Sequence, residues 1–380
     1  QTQKQLCYSA HGSVSEYSAM VDGVCSNIIN DINGEFKWTF DNSNEPTFTI
    51  DLSMQDNWYE CNCGSCQLEK LKYGSYAGQQ LHFVNDIANK MDAWFVANKP
   101  AIKHSYKLLA YQQAEVAPSY IDFTLNKNLL IQYAPVYVDI TKPIAPSGVN
   151  KQFYDELKDW VDLLEANQNA SVDNLCVWNY SYSTHNIIPA YDFGILNQTY
   201  ENIRKLGIKN ISTEFVTNGS QLTYFQDLRL YLMARSMEDS TLDVKEVSKD
   251  FIDAYYGAGS DKIYEFLQLA NNNMKSTYTG ANTVFETHDN KKYWSKTVVE
   301  SLISLCDEAI NSVSNSSETE ASKSLHIDRI NREKCTVIYM YVEYGYVSYS
   351  KKSEYKNFFK NMCEKFGITH ISTSKTVNNW

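Results

Sequence analysis

Residues 47–55 read Thr-Phe-Thr-Ile-Asp-Leu-Ser-Met-Gln, which places Phe48, Ile50, Leu52 and Met54 on one side and Thr49, Asp51, Ser53 and Gln55 on the other. Strict alternation at period two predicts a strand with one apolar face. A cysteine-rich loop follows. Residues 68–95 then carry Leu81, Val84, Ile87, Ala88 and Met91 at helical spacing, which predicts a long amphipathic helix. Strand, loop and helix make a βα unit. Further strands are predicted over residues 104–111, 128–133, 174–181 and 210–216. Helices are predicted over 153–167, 191–205 and 222–237. Strands alternating with helices predict a parallel sheet, in a barrel or an open form.

Beyond about residue 240 the pattern changes. Residues 247–256, 262–272, 298–313 and 333–350 read as amphipathic helices, and the Ser/Asn/Thr/Glu-rich residues 311–322 as the best loop between them. The expected organisation is therefore a barrel portion over residues 1–240 and a helical region over 241–380. A chain of 380 residues has room for both.

Composition narrows the class of function. A formal net charge of −11 with no local Lys/Arg cluster opposes binding to a phosphate backbone, so nucleic acid is not an expected partner. The longest apolar runs fall well short of the roughly 20 residues that a membrane-spanning helix needs. Gln1 opens the sequence with no charged n-region or apolar h-region, so any export signal has been removed or lies upstream. The 28 Tyr and 7 Trp supply rings with polar handles, of the kind that meet sugars and interfaces. Phosphate loops, Gly-x-Ser-x-Gly elbows and His-Glu-x-x-His helices do not occur, so ATPase, serine-hydrolase and zincin readings have no support.

A series of short segments carries a resemblance. It runs through Leu6-Cys7, Ser53-Met54-Gln55-Asp56, Cys61-Asn62-Cys63-Gly64-Ser65-Cys66 and Phe83-Val84-Asn85-Asp86-Ile87-Ala88. Leu109-Ala110-Tyr111, Val177-Trp178-Asn179-Tyr180 and Ala254-Tyr255-Tyr256-Gly257 continue it. In order and spacing these resemble the DUF4838 family, over roughly residues 5–270. The resemblance implies a mainly bacterial protein on a (β/α) TIM-type barrel akin to α-glucuronidases. It also implies barrel strands upstream of those legible here. Two places depart from the family pattern and bear on activity. Asn179 stands where an Asp is expected, and Thr141-Lys142-Pro143-Ile144-Ala145 stands where a His-Pro-type segment is expected.

In a barrel the polar side of each strand faces inward, and catalytic groups sit at the C-terminal strand ends. Asp56 then ends the first strand, and parity turns Ser212 and Glu214 inward on the last. Glycoside hydrolysis needs one carboxyl as proton donor and another as nucleophile or base, which makes Asp56 and Glu214 the candidate pair. Gln55, Tyr111, Trp178, Tyr180 and His185 are candidate sugar contacts. The plain alternatives are a capping role for Asp56, a buried ion pair for Glu214 and core packing for the rings.

Cys7, Cys61, Cys63 and Cys66 supply four thiols, the number that a tetrahedral structural zinc requires. A disulfide from Cys7 to one of the other three is the competing account, and either would pin the loop after Asp56. No organic cofactor is expected. The reading is a secreted or cell-surface, glycoside hydrolase-like protein acting on carbohydrate. The alternatives are a non-catalytic carbohydrate-binding or surface-adhesion protein on the same scaffold, or a structural module of a longer protein.

Overall fold

The computed structural model describes residues 5–37, 47–180, 193–214, 223–278, 283–285, 291–371 and 375–380. Five strands, β1 (Thr47–Asp51), β2 (Lys103–Ala110), β3 (Leu129–Tyr133), β4 (Leu175–Tyr180) and β5 (Asn210–Glu214), lie side by side in chain order. They form a curled, parallel half-barrel sheet. The register aligns Ile50 with Tyr106, Leu108 with Ile131, and Tyr133 with both Ala110 and Val177. All of these are buried, so one face of the sheet is continuously apolar. The other face carries several polar pairs. There Thr49 Oγ1 meets Ser105 Oγ at 3.0 Å, Asp51 pairs with Lys107 at 2.6 Å, and Gln132 Nε2 donates to Ser212 Oγ at 3.0 Å. Because side chains alternate at period two, a slip of one residue would exchange the two faces, so the apolar stripe sets the register.

The strand expected over residues 47–55 ends at Asp51. Leu52 N still donates to Lys107 O at 2.9 Å, but Ser53 N then turns to Asp51 Oδ1 at 3.0 Å and leaves the ladder. The helix expected over residues 68–95 is two helices. With α1 (Val14–Asn33) ahead of them in the chain, these are α2 (Gly64–Tyr73) and α3 (Tyr76–Asn98). They break at Gly74, whose φ of 77° favours glycine and where a Cβ would collide with Ser119 Oγ. Helix α3 buries Leu81, Val84, Ile87, Ala88, Met91 and Phe95 and packs against α1 and β2. Each such fully buried large side chain contributes about 1.5–3 kcal/mol.

At the N-terminal ends of β2 and β3, Asp92 of α3 collects four donors. These are His104 Nε2 at 2.7 Å, Tyr106 Oη at 2.8 Å, Asn126 Nδ2 at 2.8 Å and Asn128 Nδ2 at 3.2 Å. Burial by itself would raise its pKa, but the hydrogen bonds outweigh that and hold the carboxyl down to about 2. This end of a parallel α/β sheet serves stability.

The chain divides into two compact units. One comprises Gln1–Val136, Pro146–Asn179 and Ile203–Ser212; the other comprises Tyr137–Ala145, Tyr180–Asn202 and Thr213–Trp380. The remaining helices are α4 (Lys151–Glu165), α5 (Gly194–Lys205), α6 (Gln226–Glu238), α7 (Val244–Tyr256), α8 (Ser260–Thr277), α9 (Lys296–Ser314), α10 (Glu320–Glu343) and α11 (Lys352–Lys365). The helical C-terminal region is thus present. Helix α10 begins well before the expected residue 333, so the loop expected over 311–322 shrinks to residues 315–319. Thr319 caps the helix by accepting from Ser322 N at 3.2 Å. In the helical unit, a Cβ on Gly259 would stand 2.8 Å from Ile330 Cδ1 and 3.0 Å from Ala309 O, so α9 and α10 approach closely at that point.

Candidate functional site

The four cysteines converge within the first unit. Cys7 precedes a turn of 3-10 helix at Ala10–Gly12, Cys61 and Cys63 lie in the loop after β1, and Cys66 lies in the first turn of α2. Their sulfur atoms all lie within 4.8 Å of one another, with Cys7 Sγ 3.6 Å from Cys63 Sγ and 3.7 Å from Cys66 Sγ. All nine cysteines of the chain are free thiols. A disulfide would bring two sulfurs to about 2.05 Å, whereas a tetrahedron with metal–sulfur bonds of about 2.3 Å has sulfur–sulfur edges of about 3.8 Å. The observed spacing matches the second case.

Local backbone supports the thiols. Cys63 is the N-cap of α2, and its Sγ accepts from Cys66 N at 3.5 Å; Cys7 Sγ accepts from His11 N at 3.3 Å; Ser9 Oγ lies 3.1 Å from Cys66 Sγ. Burial pushes the Cys66 thiol up to about 12. At Cys63 the hydrogen bonds from Cys66 N, Ser9 and Cys7 outweigh burial and bring it down to about 5. The cluster can therefore present a thiolate at neutral pH and could hold a metal ion.

The loop just before the cluster carries Gln55 and Asp56, both exposed. Asp56 Oδ1 accepts from Gln112 Nε2 at 3.2 Å. Gln113, next along, donates through Nε2 to Asn57 O at 3.1 Å and to Tyr59 O at 2.9 Å. Gln112 and Gln113 lie in a 3-10 turn (Gln112–Ala114) directly after β2, and Gln112 has φ of 53°. A non-glycine residue held in the left-handed region costs about 1–3 kcal/mol and tends to occur at functional sites. Two other carboxyls of this region are committed to lysines, Asp51 to Lys107 at 2.6 Å and Glu60 to Lys70 at 2.7 Å.

Tyr111 is half-buried just beyond β2, and Trp178 and Tyr180 are half-buried on β4. Glu214 is half-buried at the C-terminal end of β5, and Ser212 lies on the polar face with Gln132 and Cys176. His185 lies outside the described residues.

Sequence reasoning did not find a second acidic cluster. Glu115, 8% exposed, follows the 3-10 turn, and Glu156 lies on α4. Tyr133 Oη donates to Glu156 Oε2 at 2.7 Å, Gln152 Nε2 donates to Glu156 Oε1 at 2.8 Å, and Trp160 Nε1 donates to Glu115 O at 2.8 Å. Burial, with a smaller effect from the Glu156 charge, pushes the Glu115 carboxyl up to about 8. Tyr133 belongs to the apolar stripe and also reaches Phe153 O on α4, so this pair sits between sheet and helix, away from the polar face. Nothing in the local sequence around Glu115 marks it.

These features define a parallel α/β protein with a tetrathiol cluster beside the C-terminal end of its first strand. The chain belongs to the family described as Domain of unknown function (DUF4838), whose model matches residues 3–268. No curated protein matches it. Among the described residues no helix is long and apolar enough to cross a membrane.

Proposed function

We propose that the chain is a secreted or cell-surface, glycoside hydrolase-like protein on a (β/α) barrel, with Asp56 and Glu214 as its carboxyl pair. The observation that carries this reading is Asp56. It is an exposed carboxylate in the loop that follows the C-terminal end of β1, oriented by Gln112 from the turn after the neighbouring strand, and barrel chemistry is placed in the loops at that end of the strands. Glu214 ends β5 on the parity of the polar residue Ser212. One of the two carboxyls would protonate the leaving oxygen while the other attacks the sugar or activates water. Polysaccharide as substrate favours a site outside the cytoplasm.

Zinc is the metal that the cluster suits best, because four thiolates in a tetrahedron leave no open coordination position. Cys7, Cys61, Cys63 and Cys66 would hold it. The ion would cross-link the N-terminal segment, the loop after β1 and the start of α2, a structural role beside the candidate acid. Elemental analysis of the purified chain should find one zinc per chain, and Cys63→Ser with Cys66→Ser should abolish it. A metal-free wild-type protein with intact thiols would refute this assignment.

The catalytic reading is tested with a panel of aryl glycosides and a glycan array. Hydrolysis that disappears in both Asp56→Asn and Glu214→Gln supports the enzyme. The second reading, a non-catalytic carbohydrate binder, is favoured by two exposed rings close to Asp56 in the chain, Trp58 at 54% and Tyr59 at 58% exposure. Glycan binding without turnover would select it.

A further inference from the structure

We infer that Trp58 and Tyr59 form a preorganised stacking platform for a neutral pyranose chain, beside Asp56. This rests on the carbohydrate reading above and adds to it both a binding surface and a class of ligand. Two large rings on a surface loop would ordinarily need no explanation. Here the loop that displays them is held from several directions. Gln113 Nε2 fastens Asn57 O and Tyr59 O, and Gln5 Nε2 reaches Asn57 Oδ1 at 3.0 Å. Asn57 Oδ1 accepts from Tyr59 N at 3.0 Å, Glu60 is paired to Lys70, and Cys61 enters the sulfur cluster. The backbone is fixed while both rings are left more than half exposed.

Rigid aromatic area of this kind binds at low conformational cost, and the apolar C–H faces of a pyranose match it. The strained φ at Gln112 aims its amide at Asp56 in the same region.

Charge selects the class. Neither residues 52–59 nor residues 110–121 contain a lysine or arginine, and Asp56 supplies a negative charge there. A uronate, sulfate or phosphate group set beside Asp56 would meet its repulsion, whereas a neutral chain would not.

The test is a glycan array followed by titration calorimetry with cellohexaose and with a glucuronic-acid-substituted xylo-oligosaccharide. The proteins are wild type, a Trp58→Ala/Tyr59→Ala double variant and Trp58→Phe. Thermal melts and zinc content serve as controls on folding. Wild type is expected to bind neutral glycans, the double variant to bind them at least about tenfold more weakly, and Trp58→Phe to retain most of the affinity. Equal affinity in wild type and double variant would overturn the platform while leaving the carbohydrate reading in place. Binding confined to acidic glycans would overturn the neutral class. An array with no bound glycan would remove both the platform and the reading beneath it.

Discussion

Replacing Glu115 with Gln removes a single ionisable proton site, and its consequence can be worked out from the geometry. The folded chain holds this carboxyl protonated up to about pH 8, because it is buried and faces Glu156, whereas its ordinary pKa is 4.5. A pKa raised by folding contributes stability that is fully present below 4.5 and is lost as pH rises through 8. At pH 7 the unfolded chain ionises the group while the folded chain does not. At about 1.4 kcal/mol for each pH interval of one, that mismatch costs about 3 kcal/mol. Glutamine is neutral in both states and escapes the cost. Glu115 Oε1 has no hydrogen-bond partner among the described residues, so the new amide surrenders about 1 kcal/mol of the gain. Urea denaturation of wild type and Glu115→Gln from pH 4.5 to 8, followed by circular dichroism, should give near-equal stability at the acid end. By pH 7 the variant should lead by about 2–3 kcal/mol. A constant difference across the range, or a variant that falls further behind as pH rises, would show that the carboxyl is ionised in the fold and would refute the argument.

Other perturbations test other parts of the structure. Asp92→Asn deprives four donors of their shared carboxylate and should cost about 2–4 kcal/mol in a urea melt. In the wild type the depressed pKa of Asp92 should make its contribution, about 2 kcal/mol, disappear as pH falls from 3.8 through 2. Exhaustive chelation should lower the melting temperature, and added zinc should restore it, because ion-binding energy at such a cluster is also folding energy. Gly259→Ala should destabilise the helical unit by about 1–3 kcal/mol, since its Cβ would crowd Ile330 and the Ala309 carbonyl. A melt unchanged from wild type would show that the helices can move apart there.

Much of the fold was legible because its determinants are local. Period-two alternation located β1 and strand-like segments located β2 to β5, and the starts observed at Lys103, Leu129 and Leu175 lie one residue from those expected. The departures have physical causes. The pattern over residues 52–55 keeps its alternation, but Ser53 bonds back to Asp51 and pairing with β2 stops. The break at Gly74 rests on close contact with Ser119, a residue 45 positions away. Helix α1 buries only Val21, Cys25 and Ile32 among its twenty residues, too sparse a stripe to stand out before its partner α3 is known.

The candidate sites divide in the same way. Residue type and spacing singled out Asp56 and the four cysteines, since a carboxylate after a strand is a candidate acid and four clustered thiols are a candidate metal site. Sequence could not choose between a disulfide and a tetrahedron of sulfurs, because that choice depends on distances between Cys7 and residues more than fifty positions on. Nor could it show that Gln112 and Gln113 fasten the loop bearing Trp58 and Tyr59, or that Glu115 and Glu156 are buried near one another. Local pattern determined which segments become strands and helices and which faces they bury. The meeting of side chains distant in the chain, and with it each thiol's proton affinity, each carboxyl's partner and each ring's exposure, was decided by the tertiary structure, because burial and hydrogen bonding exist only once the segments have packed.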